Sequence, residues 1–248
     1  MPMSASAHFV LAYTPDTLIE SPGDVAMKLI FWHPFENGHV MEMEAPQAVY
    51  AVHRGEKIDL SGSLEKMTFS GVDNAATGYD IALPVKRSGD YVVVVEPAPY
   101  LEKSEDLYIQ QFTKVFVNRN GMPTDWDSEL GLAAEILPMV KPYNVIAGSS
   151  FTGRVMAAGK PVAGAEIEVE YMAAEPDMDT NAPKPATVSA MPGGAVVIKS
   201  DEDGYFTFAI PRAGHWGFAA LGVGPVTEHE GKELSQDAVI WVRAFEME

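Results

Sequence analysis

Cysteine is absent from this chain, which excludes disulfides, zinc-thiolate sites and a thiol nucleophile together. Basic residues are scarce: 17 Lys and Arg stand against 35 Asp and Glu, for a formal net charge of −18 and a pI near 4.6. A surface of that sign repels nucleic acid and anionic membranes and gathers cations, so nucleic acid is not an expected partner. No apolar run reaches the roughly eighteen residues that a membrane-spanning helix needs. The chain also lacks a Gly-x-Ser-x-Gly elbow and a glycine-rich loop opening a helix. Those signatures of serine hydrolases and phosphate cradles are therefore missing. Carboxylate pairs abound, yet at this acidity nothing singles one out as a general acid, and the expectation is that the protein is not an enzyme.

What is present is ordinary globular composition, with 47% hydrophobic residues over 248 positions, enough for two domains that each bury a core. The first residues give a clue to location. Met1-Pro2-Met3-Ser4 has neither a basic nor an apolar region, but Ala5-Ser6-Ala7 has the small-x-small form of a signal-peptide cleavage site. The expectation is an exported protein whose signal is removed, with His8 as its mature amino terminus. A histidine there chelates through amine and ring together.

Short apolar or alternating runs separated by Gly, Pro, Asn and Asp dominate the rest. Val25–Trp32, Gln47–His53, Glu65–Phe69, Gly78–Leu83, Asp90–Glu96 and Phe112–Asn118 read as strands, and only Ser104–Gln111 is a helix candidate. Two prolines in Leu137-Pro138-Met139-Val140-Lys141-Pro142-Tyr143 suit a connector, which places a boundary between Glu135 and Ile146. Beyond it, Ser150–Met156, Ala165–Tyr171, Val196–Ser200, Tyr205–Ile210, Gly217–Leu221 and Ala238–Ala244 form a second set of strands. In one of these Ile167 and Val169 alternate with Glu166, Glu168 and Glu170. Asp177–Pro192 has no period and reads as a long mobile loop. The fold class predicted is all-β, two β-sandwich domains in tandem over 1–140 and 141–248.

Potential metal donors gather between Phe31 and Met43, which holds His33, Glu36, His39, Met41, Glu42 and Met43. If that segment is strand, His39, Met41 and Met43 share one face. The alternative is that the methionines fill the core and His39 is a turn residue. His53 and His229 are expected to be exposed. Asp201-Glu202-Asp203-Gly204 has the opening of a calcium loop, but a strand follows at once, so a hairpin turn is expected.

Two resemblances rest on longer motifs. Gly153-Arg154-Val155, Gly159-Lys160-Pro161-Val162-Ala163-Gly164-Ala165, Asp201-Glu202-Asp203-Gly204-Tyr205-Phe206-Thr207-Phe208 and Pro211-Arg212-Ala213-Gly214 resemble a transthyretin-like (prealbumin-like) sandwich, which implies that fold for 141–248. Across the whole chain, His8-Phe9, His33-Pro34-Phe35-Glu36 with Met41 and Met43, Val95-Glu96-Pro97 with Tyr100 and Glu102, Thr113-Lys114-Val115, Trp126-Asp127 and Ala213-Gly214-His215-Trp216-Gly217-Phe218 are similar to exported proteins that accompany energy-coupling-factor-type nickel and cobalt transporters. The sequence departs from that pattern at Gln111, where histidine is common, and at His215, where tryptophan is.

The resemblance implies a periplasmic protein that binds Ni(II) or Co(II), with copper or zinc as alternative ions, and delivers it to membrane transporter subunits. It makes His8 and His33 the first ligand pair, since imidazole suits these ions better than thioether does. Glu36 is a ligand or an acceptor that orients His33, and His39, Met41 and Met43 are further candidates. The competing reading is a non-enzymatic surface or periplasmic module that binds a protein or glycan through its loops. Under the metal reading His8 and His33 lie within a few ångströms of each other; under the other they are free to lie apart.

Overall fold

A computed structural model describes residues 8–35, 38–189 and 195–247. The chain is all-β: among the described residues the only helical element is a 3-10 turn at Ser61–Ser63. Its strands form three layers. The front sheet orders Phe9–Tyr13, Gly23–Trp32, Ala75–Val85 and Glu65–Ser70, with Val40–Met41 attached to the second of these. The central sheet runs Val196–Lys199, Glu166–Tyr171, Gly214–Ala220, Lys232–Phe245, Leu107–Arg119, Gly89–Glu96, Ala48–His53 and Glu56–Asp59. The rear sheet holds Ala134–Pro138, Ser150–Ala157, Lys160–Pro161 and Tyr205–Ala209.

Side-chain alternation explains the layering. Along Gly89–Glu96, Tyr91, Val93 and Val95 enter the core shared with the front sheet, whereas Val92 and Val94 enter the core shared with the rear sheet. Lys232–Phe245 divides in the same way, Val239 and Trp241 facing forward and Ala238, Ile240 and Val242 backward. A strand covered on both faces has no polar side to present, which is why Tyr91-Val92-Val93-Val94-Val95 is an unbroken apolar run.

Two sandwiches are present, therefore, and they share the central sheet. The parallel ladder between Leu107–Arg119 and Lys232–Phe245, from Tyr108 opposite Leu234 to Lys114 opposite Ile240, joins the first half of the chain to the second. The connector near residue 140 is a real break between strands, but Ala134–Pro138, on its N-terminal side, pairs with Ser150–Ala157. Lys114 and Glu135 clamp central to rear sheet through a fully buried ion pair of 2.9 Å, and Glu135 also accepts the Gly131 N–H.

Three local expectations are corrected. Ser104–Gln111 is no helix: Tyr100–Glu102 returns onto Leu107–Ile109 as a tight antiparallel hairpin, with Asp106 at a φ of 57° in its turn. The polar stretch is too short for helical turns, and the aromatic and β-branched residues after it favour a strand. His53 is buried, stacked on Tyr91 at 4.1 Å with Nδ1 against the Asp90 carbonyl, because the loop bearing Asp125 covers its hairpin and accepts the Arg54 and Gly55 N–H groups. Within Asp177–Pro192, Pro176–Asp177 pairs with Ala182–Pro183, and the Asn181 carbonyl accepts the Ser70 N–H; residues 190–194 lie outside the described residues. Asp201–Gly204 is the hairpin turn expected: Asp201 Oδ1 accepts the N–H groups of Asp203 and Tyr205, and Gly204 takes a φ of +83°.

Candidate metal seat

Front-sheet register builds the candidate site. Phe9–Tyr13 runs antiparallel to Gly23–Trp32 with Phe9 opposite Trp32 and Tyr13 opposite Lys28. Continuing that register by one residue sets His8 against His33, and their ring centroids lie 4.2 Å apart. Directly opposed residues of antiparallel strands bring their Cβ atoms to roughly 5 Å, so the pairing of two distant sequence positions follows from the ladder itself.

Carboxylates flank both rings. Glu102, on the Tyr100–Ile109 hairpin, places Oε2 3.9 Å from His8 Nε2. Glu170, on the central sheet, places Oε1 3.5 Å from His33 Nδ1. The site is sheltered, with His33 and Glu170 buried and His8 and Glu102 only slightly exposed. Phe31 lies 5.7 Å from the His8 ring and 5.1 Å from Tyr100, forming an aromatic wall. Gln111 fixes the strand end: its Oε1 accepts the Val10 N–H at 2.8 Å, and its Nε2 donates to the His8 carbonyl at 2.6 Å and to Asp237 Oδ2 at 3.2 Å.

Burial, with His33 beside it, pushes the His8 imidazole down to about 4 against the pull of Glu102. It is therefore neutral near pH 7, the form a metal ligand requires. Burial raises the Glu102 carboxyl, but hydrogen bonds from Ser104 and the neighbouring imidazoles outweigh it and hold the group below its usual range. Two imidazoles, that of His8 neutral, between two carboxylates are a donor set that suits Ni(II) or Co(II). Among the described residues, however, no three His, Asp or Glu side chains surround a point that a metal ion could occupy. The described part of the chain offers a two-imidazole seat with carboxylates beside it, not a closed cage.

The other candidates separate. Glu36 lies outside the described residues. His39 is exposed but close enough for its charge to depress the His8 imidazole. Its segment is held by the Trp32 Nε1–H on the Gly38 carbonyl at 3.0 Å. Met41 and Met43 are buried in the front core, and strand extends only over Val40–Met41, so the expected shared face with His39 does not form. His215 belongs elsewhere: its Nδ1 contacts Glu175 Oε1 at 3.2 Å and Arg243 at 3.1 Å, and its ring packs on Tyr13, at the far end of the strand that His8 precedes.

The sequence points to Glu102 only within a family-like motif, and nothing local marks Glu170 as a site residue. The signal for Glu170 is the Glu166-Ile167-Glu168-Val169-Glu170 alternation. Ile167 and Val169 face the rear core, so Glu168 and Glu170 face the front, where the histidines are.

The chain belongs to the family described as "Domain of unknown function (DUF4198)", whose pattern matches residues 5–224. No curated protein sequence matches it. Among solved structures it is similar to the D0-D1 domain of intimin, at 15% identity over 92% of this chain and 95% of that one with a TM-score of 0.22. It is also similar to fibronectin(III)-like modules of Clostridium thermocellum CbhA, at 9% over 95% of each chain with a TM-score of 0.22. A third is trypsin-activated alpha-2-macroglobulin from Escherichia coli, at 8% over 96% of this chain and 16% of that one with a TM-score of 0.25. Likenesses this distant carry no argument. No helix among the described residues is long and apolar enough to cross a membrane.

Proposed function

We propose that this protein is an exported carrier that binds a divalent transition-metal ion, Ni(II) or Co(II) before copper or zinc, at the His8–His33 seat and releases it to membrane transporter subunits. The observation that supports this reading is the apposition of the two imidazoles at 4.2 Å by strand register, with Glu102 and Glu170 beside them. The chemistry is ligand exchange. The partly desolvated imidazoles collect the ion, the carboxylates offset its charge, and positions that the chain leaves unfilled stay open to water and to the receiving protein's donors. A net charge of −18 concentrates cations around the seat.

Cobalt absorption spectroscopy tests the proposal. Co(II) added to the full chain gives ligand-field bands characteristic of imidazole coordination, and His33→Ala removes them. Bands that survive unchanged in His33→Ala overturn the assignment of the seat.

A further inference from the structure

A second feature lies on the same face of the central sheet and borders the metal seat, with which it shares Glu102 and His8. A cleft of about 100 Å³ opens between the Tyr100–Ile109 hairpin and the central strands, lined by Glu102, Glu105, Glu168 and Asp237 with Leu107, Ile109 and Leu221. No Lys or Arg lines it, and His8 is the one basic type of side chain in its lining. Asp237 is satisfied by the Gly222 N–H at 2.8 Å, the Ser235 hydroxyl at 2.6 Å and Gln111 Nε2 at 3.2 Å. Glu168 is not: the residue is 5% exposed, and its buried Oε2 has no hydrogen-bond partner among the described residues.

A buried carboxyl oxygen without a donor costs free energy, and nothing in the cleft supplies the donor. We propose that this cleft binds a primary alkyl-ammonium group, whose three N–H donors reach Glu168 and its neighbouring carboxylates while its methylenes lie along Leu107, Ile109 and Leu221. Three features select this ligand over a bare metal ion. The cleft, at about 100 Å³, is far roomier than a bare ion needs. The carboxylates do not surround a coordination point. The apolar residues match the stem of an amine, which a hydrated ion lacks. The ligand is a free amine or a lysine side chain on a polypeptide, and both present the same head group.

The test titrates the full chain with n-butylammonium and, separately, with Nα-acetyl-lysinamide, following backbone amide NMR shifts at constant ionic strength against potassium, tetramethylammonium and magnesium. Saturable shifts at Leu107, Ile109 and Leu221 with either amine support the proposal; a free-amine site responds to the first alone and a lysine site to both. At about pH 8.5, where Glu168 is ionised and the amine keeps its proton, Glu168→Gln weakens the amine about tenfold, the loss expected on removing a charge-assisted hydrogen bond. The exposed Glu105→Gln, which leaves the buried face untouched, weakens it about twofold. Amine responses no greater than those to potassium overturn the proposal, as does an unchanged affinity in both variants. Saturation by magnesium without a response to amines also overturns it and assigns the cleft to a hydrated divalent ion. His33→Ala leaves amine binding intact, which separates this site from the metal seat.

Discussion

Gln111 donates its Nε2–H to the His8 carbonyl at 2.6 Å, so one side chain of the central sheet holds the front-sheet strand end that carries half of the imidazole pair. Its Oε1 takes the Val10 N–H as well, and the amide fits this place because it can accept and donate at once. Gln111→Ala leaves both backbone groups and Asp237 short of a partner. The expected outcome is a folded protein, destabilised by about 1–3 kcal/mol. Its nickel affinity falls roughly tenfold or more, as for other losses of a group that orients a ligand. Denaturation and calorimetry on the same sample check both; unchanged affinity at reduced stability removes Gln111 from the positioning role.

Glu168 lowers stability as pH rises through the range from 4.5 to about 8. Burial first, then the charges of Glu170, Asp237, Glu166 and Glu105, pushes its carboxyl from 4.5 up to about 8. Below 4.5 folded and unfolded chains both hold the proton and nothing is lost. As pH rises from there the unfolded chain releases its proton first, so stability drains away until about 8, where the loss is complete. Glu168→Gln removes that loss: the variant gains on the parent progressively across the window and matches its trend below it. Denaturation midpoints measured against pH decide the matter, and parallel profiles would falsify the assignment.

Glu175 acts at the acid side with the opposite sign. The hydrogen bond with His215, then the charges of His215 and Arg243 and the bond from the Tyr13 hydroxyl, outweigh burial and hold its carboxyl down to about 2. Its contribution is present above 4.5, where the unfolded carboxylate is also charged, and is lost as pH falls towards 2. The Glu175→Gln variant should show a flatter acid limb in thermal denaturation between those values. An acid limb as steep as the parent's contradicts this.

Lys114 and Glu135 test the three-layer architecture. Removing one partner of a fully buried pair leaves the other charge uncompensated, at a cost of about 3–5 kcal/mol. Lys114→Met, of similar volume, is expected to lower the denaturation midpoint by that order, and Lys114→Met with Glu135→Leu to recover part of it. A single variant as stable as the parent shows that the rear sheet does not depend on this clamp.

The strands were legible because alternation and turn residues mark them, as in Glu65–Ser70 and Ala48–His53. Their arrangement was less so. Tyr91–Val95 is apolar at every position, the mark of a strand covered on both faces, yet the expectation was two separate sandwiches. The glutamates of Glu166–Tyr171 suggest one wet face, yet Glu168 and Glu170 are buried, because the front of the molecule covers them and only tertiary structure reveals that cover. His8 and His33 could be named from motif and residue chemistry. Their apposition depends on register, which no local pattern within either segment encodes. His53 is buried against expectation because its hairpin is covered by the Asp125 loop, which is distant in sequence.

Isothermal calorimetric titration reads metal binding by the imidazole pair itself. Nickel, cobalt, copper and zinc are each titrated into the full chain and into the His8→Ala/His33→Ala double variant. One saturable nickel or cobalt site is expected in the parent, weakened at least a hundredfold in the double variant, as for loss of both nitrogen ligands. Equal affinity in the two proteins, or no binding by the parent, would contradict this expectation.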